Sequence, residues 1–173
     1  MIPSLLSPLR LTLGRTLPRA PAEARRPHAT SSAAMALSGR WYEIARSPAT
    51  RETDRFAATV DYRCHADGSL TVTRVGRVGS LAGAQDRQQG RATPEGNGRY
   101  RLAYGPTLPF LRQEHSLIAL DEAAGLAVVG DPGKGCFWLL SREPHPPGAA
   151  LAFAQNALAD QGHDPALERA VQP

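Results

Sequence analysis

The chain has 173 residues, 42% of them hydrophobic, and a formal net charge of +4, which is enough for one domain with its own core. No apolar run reaches membrane-spanning length, so the mature body is expected to be soluble. Residues 1–36 carry five arginines (Arg10, Arg15, Arg19, Arg25 and Arg26) against Glu23 alone, which is the whole charge excess, so nothing points to nucleic-acid binding by the remainder.

In chain order, residues 1–36 come first, rich in Pro, Ala, Arg and Ser. Their five prolines prevent a long helix. Three readings stay open. Ile2 to Leu13 is partly apolar and Ala33-Ala34-Met35-Ala36 offers small residues for cleavage, as in a secretion signal. The Arg-rich, acid-poor composition also fits an organelle-type presequence, and Met35 fits a true start just before the fold. Under each, 1–36 is a disordered or targeting extension and 37–173 is the folded domain.

From Leu37 the hydrophobic period becomes two. Gly39-Arg40-Trp41-Tyr42-Glu43-Ile44-Ala45-Arg46 reads as a strand entered through a glycine. Phe56 to Cys64 has its even positions apolar, the mark of a half-buried strand. Leu70-Thr71-Val72-Thr73 repeats it after the turn Asp67-Gly68. Asp86 to Thr93 is a weak, polar strand. Arg99 to Tyr104 places Tyr100, Leu102 and Tyr104 on one face. Ser116 to Leu120, Leu126 to Val129 and Phe137 to Leu140 are apolar on both faces, so both must be covered. The cover is predicted after Pro146-Pro147, where Gly148 to Gln161 reads as a helix with Leu151, Ala154 and Leu158 along one side and Gly162 as its stop.

Short and long connections alternate between these strands, giving one tight end and one roomy end. The fold class expected is an all-β, eight-stranded antiparallel up-and-down barrel over residues 38–142, with the C-terminal helix packed outside. Eight strands enclose a space just wide enough for side chains or one small ligand.

Several chemistries lack their residues. The five histidines show no metal-ligand spacing. Gly96-Asn97-Gly98 is followed by Arg101 where a dinucleotide motif needs glycine, and Gly133-Lys134 has Val128 where a P-loop needs glycine. No Gly-x-Ser-x-Gly elbow is present. No catalytic residue, metal or cofactor is therefore assigned, and the chain is not expected to be an enzyme. Cys64 and Cys136 fall at opposite ends of the barrel, about 20 Å apart along its axis, too far for a disulfide.

The pattern resembles the lipocalins, and within them the bacterial branch that is also similar to apolipoprotein D. The residues that carry the resemblance are Gly39 to Arg46, Tyr62 with Asp67-Gly68-Ser69, Ile118-Ala119-Leu120-Asp121, and above all Val128-Val129-Gly130-Asp131-Pro132 with Trp138-Leu139-Leu140-Ser141-Arg142-Glu143-Pro144. Two features depart from that branch. Residues 1–38 contain no cysteine to accept a lipid anchor, and Leu111-Arg112-Gln113-Glu114-His115-Ser116 stands where an aromatic run is usual. The resemblance implies binding of a fatty acid or lysophospholipid in the barrel for transport, storage or membrane maintenance. It implies a periplasmic or outer-membrane-associated location, or a cytoplasmic one if Met35 is the start. It also implies structural roles for Gly39, Trp41 and Arg142, with Trp41 plugging one end and the Arg142 guanidinium over its ring; the plain alternative is one buried Trp and one solvated Arg.

If the even face of the second strand points inward, Ala58, Val60, Tyr62 and Cys64 line the cup, joined by Leu70, Val72 and Arg74 and by Tyr100, Leu102 and Tyr104. That is an apolar pocket with a few polar tips, suited to an acyl chain, unless the side chains simply fill the barrel. Arg74, if inward, needs an anion such as a carboxylate or phosphate headgroup; a bulge after Val72 would turn it out. Leu108-Pro109-Phe110-Leu111 is apolar on a long loop at the mouth, either a lid or membrane-touching tip with Arg112 meeting acidic headgroups, or a cap folded onto its own barrel. The partner expected is a small hydrophobic or amphiphilic molecule, with membrane-surface contact as an option and the oligomeric state left open. A non-ligand scaffold is the alternative, and a thiol-dependent isomerase using Cys64 a weaker one, because His65 points to the opposite face of the strand.

Overall fold

The structure, a computed structural model, describes residues 34–52, 54–105 and 112–173, without the side chain of Arg112. The readings made for residues 1–33, for Phe110 and its loop, and for the Arg112 side chain lie outside that set.

Eight strands form the barrel: β1 (Gly39–Arg46), β2 (Arg55–Cys64), β3 (Leu70–Val78), β4 (Gln85–Gly96), β5 (Arg99–Tyr104), β6 (Arg112–Asp121), β7 (Leu126–Asp131) and β8 (Cys136–Ser141). Each pairs antiparallel with the next, and β1 pairs with both β8 and β2, so the sheet closes. One end carries the short turns after Cys64, Gly96 and Asp121; the other carries the remaining connections, two of which hold 3₁₀ turns at Pro48–Thr50 and Pro132–Lys134. Helix α1 (Ala149–Asp160) follows β8, and a two-residue strand β9 (Glu168–Arg169) adds to the outside edge of β1.

The seam between β1 and β2 is only half made by those strands. Their pairing runs from Gly39↔Tyr62 to Tyr42↔Thr59. Beyond it β2 bulges at Ala57, whose φ is 46, and the strands part. The C-terminal segment fills the gap. Ala170 N–H donates to the Ile44 carbonyl (2.8 Å) and Ala57 N–H to that of Val171 (2.7 Å). The Gln172 amide donates to the carbonyls of Glu43 (2.6 Å) and Ala58 (3.0 Å). Exposed β-sheet edges are unsatisfied rows of donors and acceptors, and here the chain's own end satisfies them. The eight-strand reading contained no such strand, because Glu168-Arg169 has neither length nor alternation.

The wall separates two apolar layers. Inside lie Trp41, Val60, Tyr62, Val72, Leu102, Val129 and Leu140, with Leu70 and Tyr100 toward the short-turn end. Outside, Leu126, Val128, Phe137 and Leu139 meet Ala150, Ala154 and Leu158 of α1. This is why the last strands are apolar on both faces. Leu151 is half-buried rather than buried as expected; the helix turns its small residues Ala150 and Ala154 inward, which lets its axis lie close to the sheet.

The closed end is organised by one arginine. The Arg142 guanidinium lies 3.7 Å from the centre of the Trp41 ring and donates to the carbonyls of Arg40 (2.9 Å), Ala36 (3.0 Å) and Ser38 (2.8 Å). Trp41 Nε1 donates to the Leu37 carbonyl at 2.7 Å. Residues 34–37 are helical, and Ala34 and Leu37 are buried against this plug, so the packed chain includes residues assigned above to the extension. Gly39 has φ 98, and a Cβ there would stand 3.1 Å from an Arg142 nitrogen: the backbone conformation and the close approach both require glycine. Replacing Arg142 with Met removes the ring contact and three hydrogen bonds, and is expected to lower unfolding free energy by about 2 kcal/mol, as measured by urea denaturation. An unchanged midpoint would show that the plug holds without its arginine.

Candidate functional site

The barrel interior grades from apolar to polar toward the long-loop end. Val60, Tyr62, Val72, Leu102, His115, Val129 and Leu140 line its middle, and Glu43, Arg74, Tyr104, Gln113 and Trp138 stand above them. Arg74 points inward. Its pairing with Val60, and that of Val72 with Tyr62, is continuous; the β2–β3 bulge falls further along, at Phe56–Thr59, and so does not turn Arg74 out.

The Arg74 charge is met by the protein itself. Its Nη1 and Nη2 donate to the two oxygens of Glu52, at 2.8 and 2.6 Å, in a forked pair. Nη2 also reaches Glu43 at 3.1 Å, and the guanidinium lies 5.1 Å over the Trp138 ring. Burial opposes the charge of Arg74, and Glu52 and Glu43 more than offset it. Glu52 is likewise partly desolvated, but the hydrogen bonds and charge of Arg74 hold its pKa below the ordinary carboxylate value. Glu43 is buried more deeply, and its pKa is raised because desolvation exceeds the pull of Arg74 and Arg46; Arg46 Nε lies 3.0 Å from its other oxygen.

Glu52 belongs to the β1–β2 loop, and that loop is pinned. Arg46 donates to the carbonyls of Glu52 and Arg55. Ser47 Oγ donates to the Gly135 carbonyl (2.8 Å) and accepts from Phe137 N–H (2.9 Å). The loop thus carries a carboxylate into the barrel mouth.

Deeper, Tyr62 and His115 share a hydrogen bond of 2.8 Å. Burial, helped by the charge of Arg74, lowers the His115 pKa to about 4 against the weaker opposing effect of Asp131, and burial raises that of Tyr62. Both are neutral at pH 7. The Cys64 thiol donates to the His65 carbonyl at 3.6 Å, and the His65 ring is held by Thr71 at 2.8 Å. Cys64 and Cys136 are both free thiols.

Of the residues read from the sequence as lining, Val60, Tyr62, Val72, Arg74, Leu102 and Tyr104 come together around one space. Leu70 and Tyr100 are buried nearer the closed end. Ala58 is buried beside the β2 bulge, where Gln172 holds its carbonyl. Glu43, Glu52, Gln113, His115 and Trp138 were not anticipated. Glu43 was legible, since it shares the parity of Trp41. Gln113 and His115 were not: β6 begins at Arg112, inside a polar run read as loop, and is held by pairing with β5 (Leu102↔Gln113, Tyr100↔His115).

The side chains nearly fill the interior. The space left among them is about 20 Å³, room for one water. A second space of about 150 Å³ lies at the mouth, bordered by Glu52, Arg74, Gln88, Asp131, Lys134 and Trp138. Pockets that hold drug-sized ligands are roughly 300–1,000 Å³. An occupant of the barrel must therefore displace side chains.

A family model described as a lipocalin-like domain matches residues 34–172. No curated protein matches the chain in sequence. Among solved structures, lobster apocrustacyanin A1 is similar over 80% of this chain and 79% of its own, with 14% identity and a TM-score of 0.62. The cockroach allergen Per a 4 is similar over 80% and 87%, with 20% identity and a TM-score of 0.62. The siderocalin Ex-FABP, described as functioning through dual ligand specificities, is similar over 80% and 95%, with 12% identity and a TM-score of 0.55.

The buried histidine sets an acid limit. The unfolded chain takes up this proton near pH 6.5, whereas the folded protein resists it until about pH 4. The stability tied to a neutral His115 is therefore complete above pH 6.5 and is lost as pH falls through that window. Unfolding free energy should drop by about 2 kcal/mol from this group between pH 7 and pH 5. His115→Gln should remove that part of the drop in urea titrations at the two pH values; an unaltered pH dependence would refute the assignment.

Proposed function

The chain belongs to the lipocalin-like family, and from that premise we propose that it reversibly binds a single-chain amphiphile, a fatty acid or lysophospholipid, inside the barrel. The motifs from Gly39 to Arg46 and from Val128 to Pro144 support placing it in the bacterial, apolipoprotein D-like branch. The role that follows is carriage, storage or membrane maintenance, without chemical conversion of the ligand.

The observation that carries the reading is the forked Arg74–Glu52 pair above an apolar barrel middle. A buried guanidinium bound at both nitrogens by one carboxylate is a ready carboxylate site. Its present partner comes from a loop and not from the barrel wall. A fatty acid would put its carboxylate in place of Glu52 and its chain among Val60, Tyr62, Val72, Leu102 and Tyr104. Glu52, Tyr104 and Trp138 would move aside, a rearrangement driven by the ligand's greater affinity for the opened barrel. Phe110 and Arg112 would act at the rim, where a lid or a lipid surface would be met.

Each acyl CH₂ removed from water contributes roughly 0.8 kcal/mol. Affinity for fluorescent fatty acids should therefore climb with chain length until the barrel is full. Glu52→Gln weakens the internal competitor and should tighten fatty-acid binding roughly tenfold while leaving the matching fatty alcohol little changed. Tyr104→Glu, which puts a charge in the chain's path, should weaken both. Absence of saturable binding at every chain length would sink this reading and leave a scaffold or interaction role.

A further inference from the structure

Residues 168–172 stand in the upper β1–β2 seam between groups that could pair without them. The lower seam runs in unbroken register to Tyr42↔Thr59. Continuing that register places Glu43 opposite Ala58 and Ile44 opposite Ala57. These are the positions that the C-terminal segment holds apart. Ala170 N–H occupies the Ile44 carbonyl, and Ala57 N–H donates to the Val171 carbonyl. The one Gln172 amide donates to the carbonyls of both Glu43 and Ala58. An antiparallel ladder joins opposed donors and acceptors directly; here a third segment stands between them.

The docked arrangement carries costs. Among the described residues three other than glycine have positive φ; Arg51 and Asn97 lie in turns, and only Ala57, at φ 46, lies inside a strand. That region is disfavoured for any L-residue with a side chain. Gln172 Oε1 is buried without a hydrogen-bond partner, which is also unfavourable. Little apolar burial offsets this. Residues 161–173 include no fully buried residue and Val171 is exposed; Leu167, half-buried against the helix layer, is the large apolar anchor. A surface hydrogen bond of 2.8 Å between His145 Nε2 and the Pro173 carbonyl holds the far end. A further space of about 110 Å³ lies between the segment, the β1–β2 loop and Phe56, room into which the start of β2 can move.

We propose that residues 168–172 are a removable wedge that sets the width of the barrel mouth. Docked, the wedge keeps the tops of β1 and β2 one strand apart. Withdrawn, it lets Ala57 return to extended backbone and pass its N–H to the Ile44 carbonyl. The seam then zips upward and draws the strand tops together by about 5 Å, one strand spacing. Two discrete pairings of the same strand edges compete, and whatever captures the free segment favours the narrow mouth. The loop that carries Glu52 is continuous with both strands, so the change bears on the Arg74 site. The proposal does not rest on what that site binds.

The test is amide hydrogen exchange, read residue by residue by NMR on the full ¹⁵N-labelled chain, for wild type, Ala57→Gly and Ala57→Val. Glycine accepts positive φ and favours the docked wedge, so the Ala170 amide should exchange about fivefold more slowly. Valine rejects that conformation. In Ala57→Val the Ala170 amide should exchange about tenfold faster, while the amide at position 57 stays within about threefold of wild type because it has passed to Ile44. Loss of protection at both positions together means that the segment merely frays, and overturns the proposal. An unchanged Ala170 rate in either variant overturns it too, and the glycine arm decides the matter even where the valine variant fails to fold.

Discussion

A guanidinium set inside a barrel cannot stand alone, and much of this molecule follows from where Arg74 sits. Removing a cation from water is expensive unless it is paired and hydrogen-bonded. The wall supplies one carboxylate, Glu43, but that group is itself so desolvated that its pKa rises. A second carboxylate has to come from elsewhere, and the loop after β1 brings it. Arg46, Ser47 and the Glu52 backbone then form the framework that keeps the loop over the mouth. The same Glu52 carboxylate accepts from Trp138 Nε1 at 3.4 Å, so the loop, the arginine and the indole meet at one group.

The two ends of the barrel use arginine in opposite ways. Arg142 is exposed enough to keep water on part of its guanidinium and spends its donors on backbone carbonyls, so it needs no carboxylate. Its flat face covers Trp41 and ties the chain before β1 to the strand end of β8. Arg74 is screened by protein and needs full counter-charge. The first arrangement is fixed by covalent neighbours and glycine geometry; the second depends on a loop side chain, which an incoming anion can rival. Rigidity at one end and a loop-borne ion pair at the other would suit the proposed role of a container with one mouth.

Most of the wall was legible in the sequence. Period-two alternation marks β2, β3 and β5, and the doubly apolar late strands call for an outside helix. Parity also placed Val60, Tyr62, Val72, Leu102 and Tyr104 together. What sequence could not show was set by tertiary pairing. The start of β6 is polar and is a strand only because β5 needs a partner there. Glu52 lies on a loop with no periodicity, and its contact with Arg74 spans 22 positions that no local pattern links. The C-terminal strand is two residues long. Leu151 went astray for a different reason: the helical stripe was right, but the small residues beside it let the helix sit so close that alanines do the burying.

The seam between β1 and β2 has a consequence for how the protein is made. Its lower half joins neighbours in sequence, but its upper half is stitched by Ala170 and Gln172, more than a hundred residues downstream. Such long-range closure is slow relative to local hairpins. During synthesis the successive hairpins from β2 to β8 can zip in order while these residues are still inside the ribosome. Until those residues arrive, this arrangement of the cylinder is an incomplete ring with a gap beside the mouth.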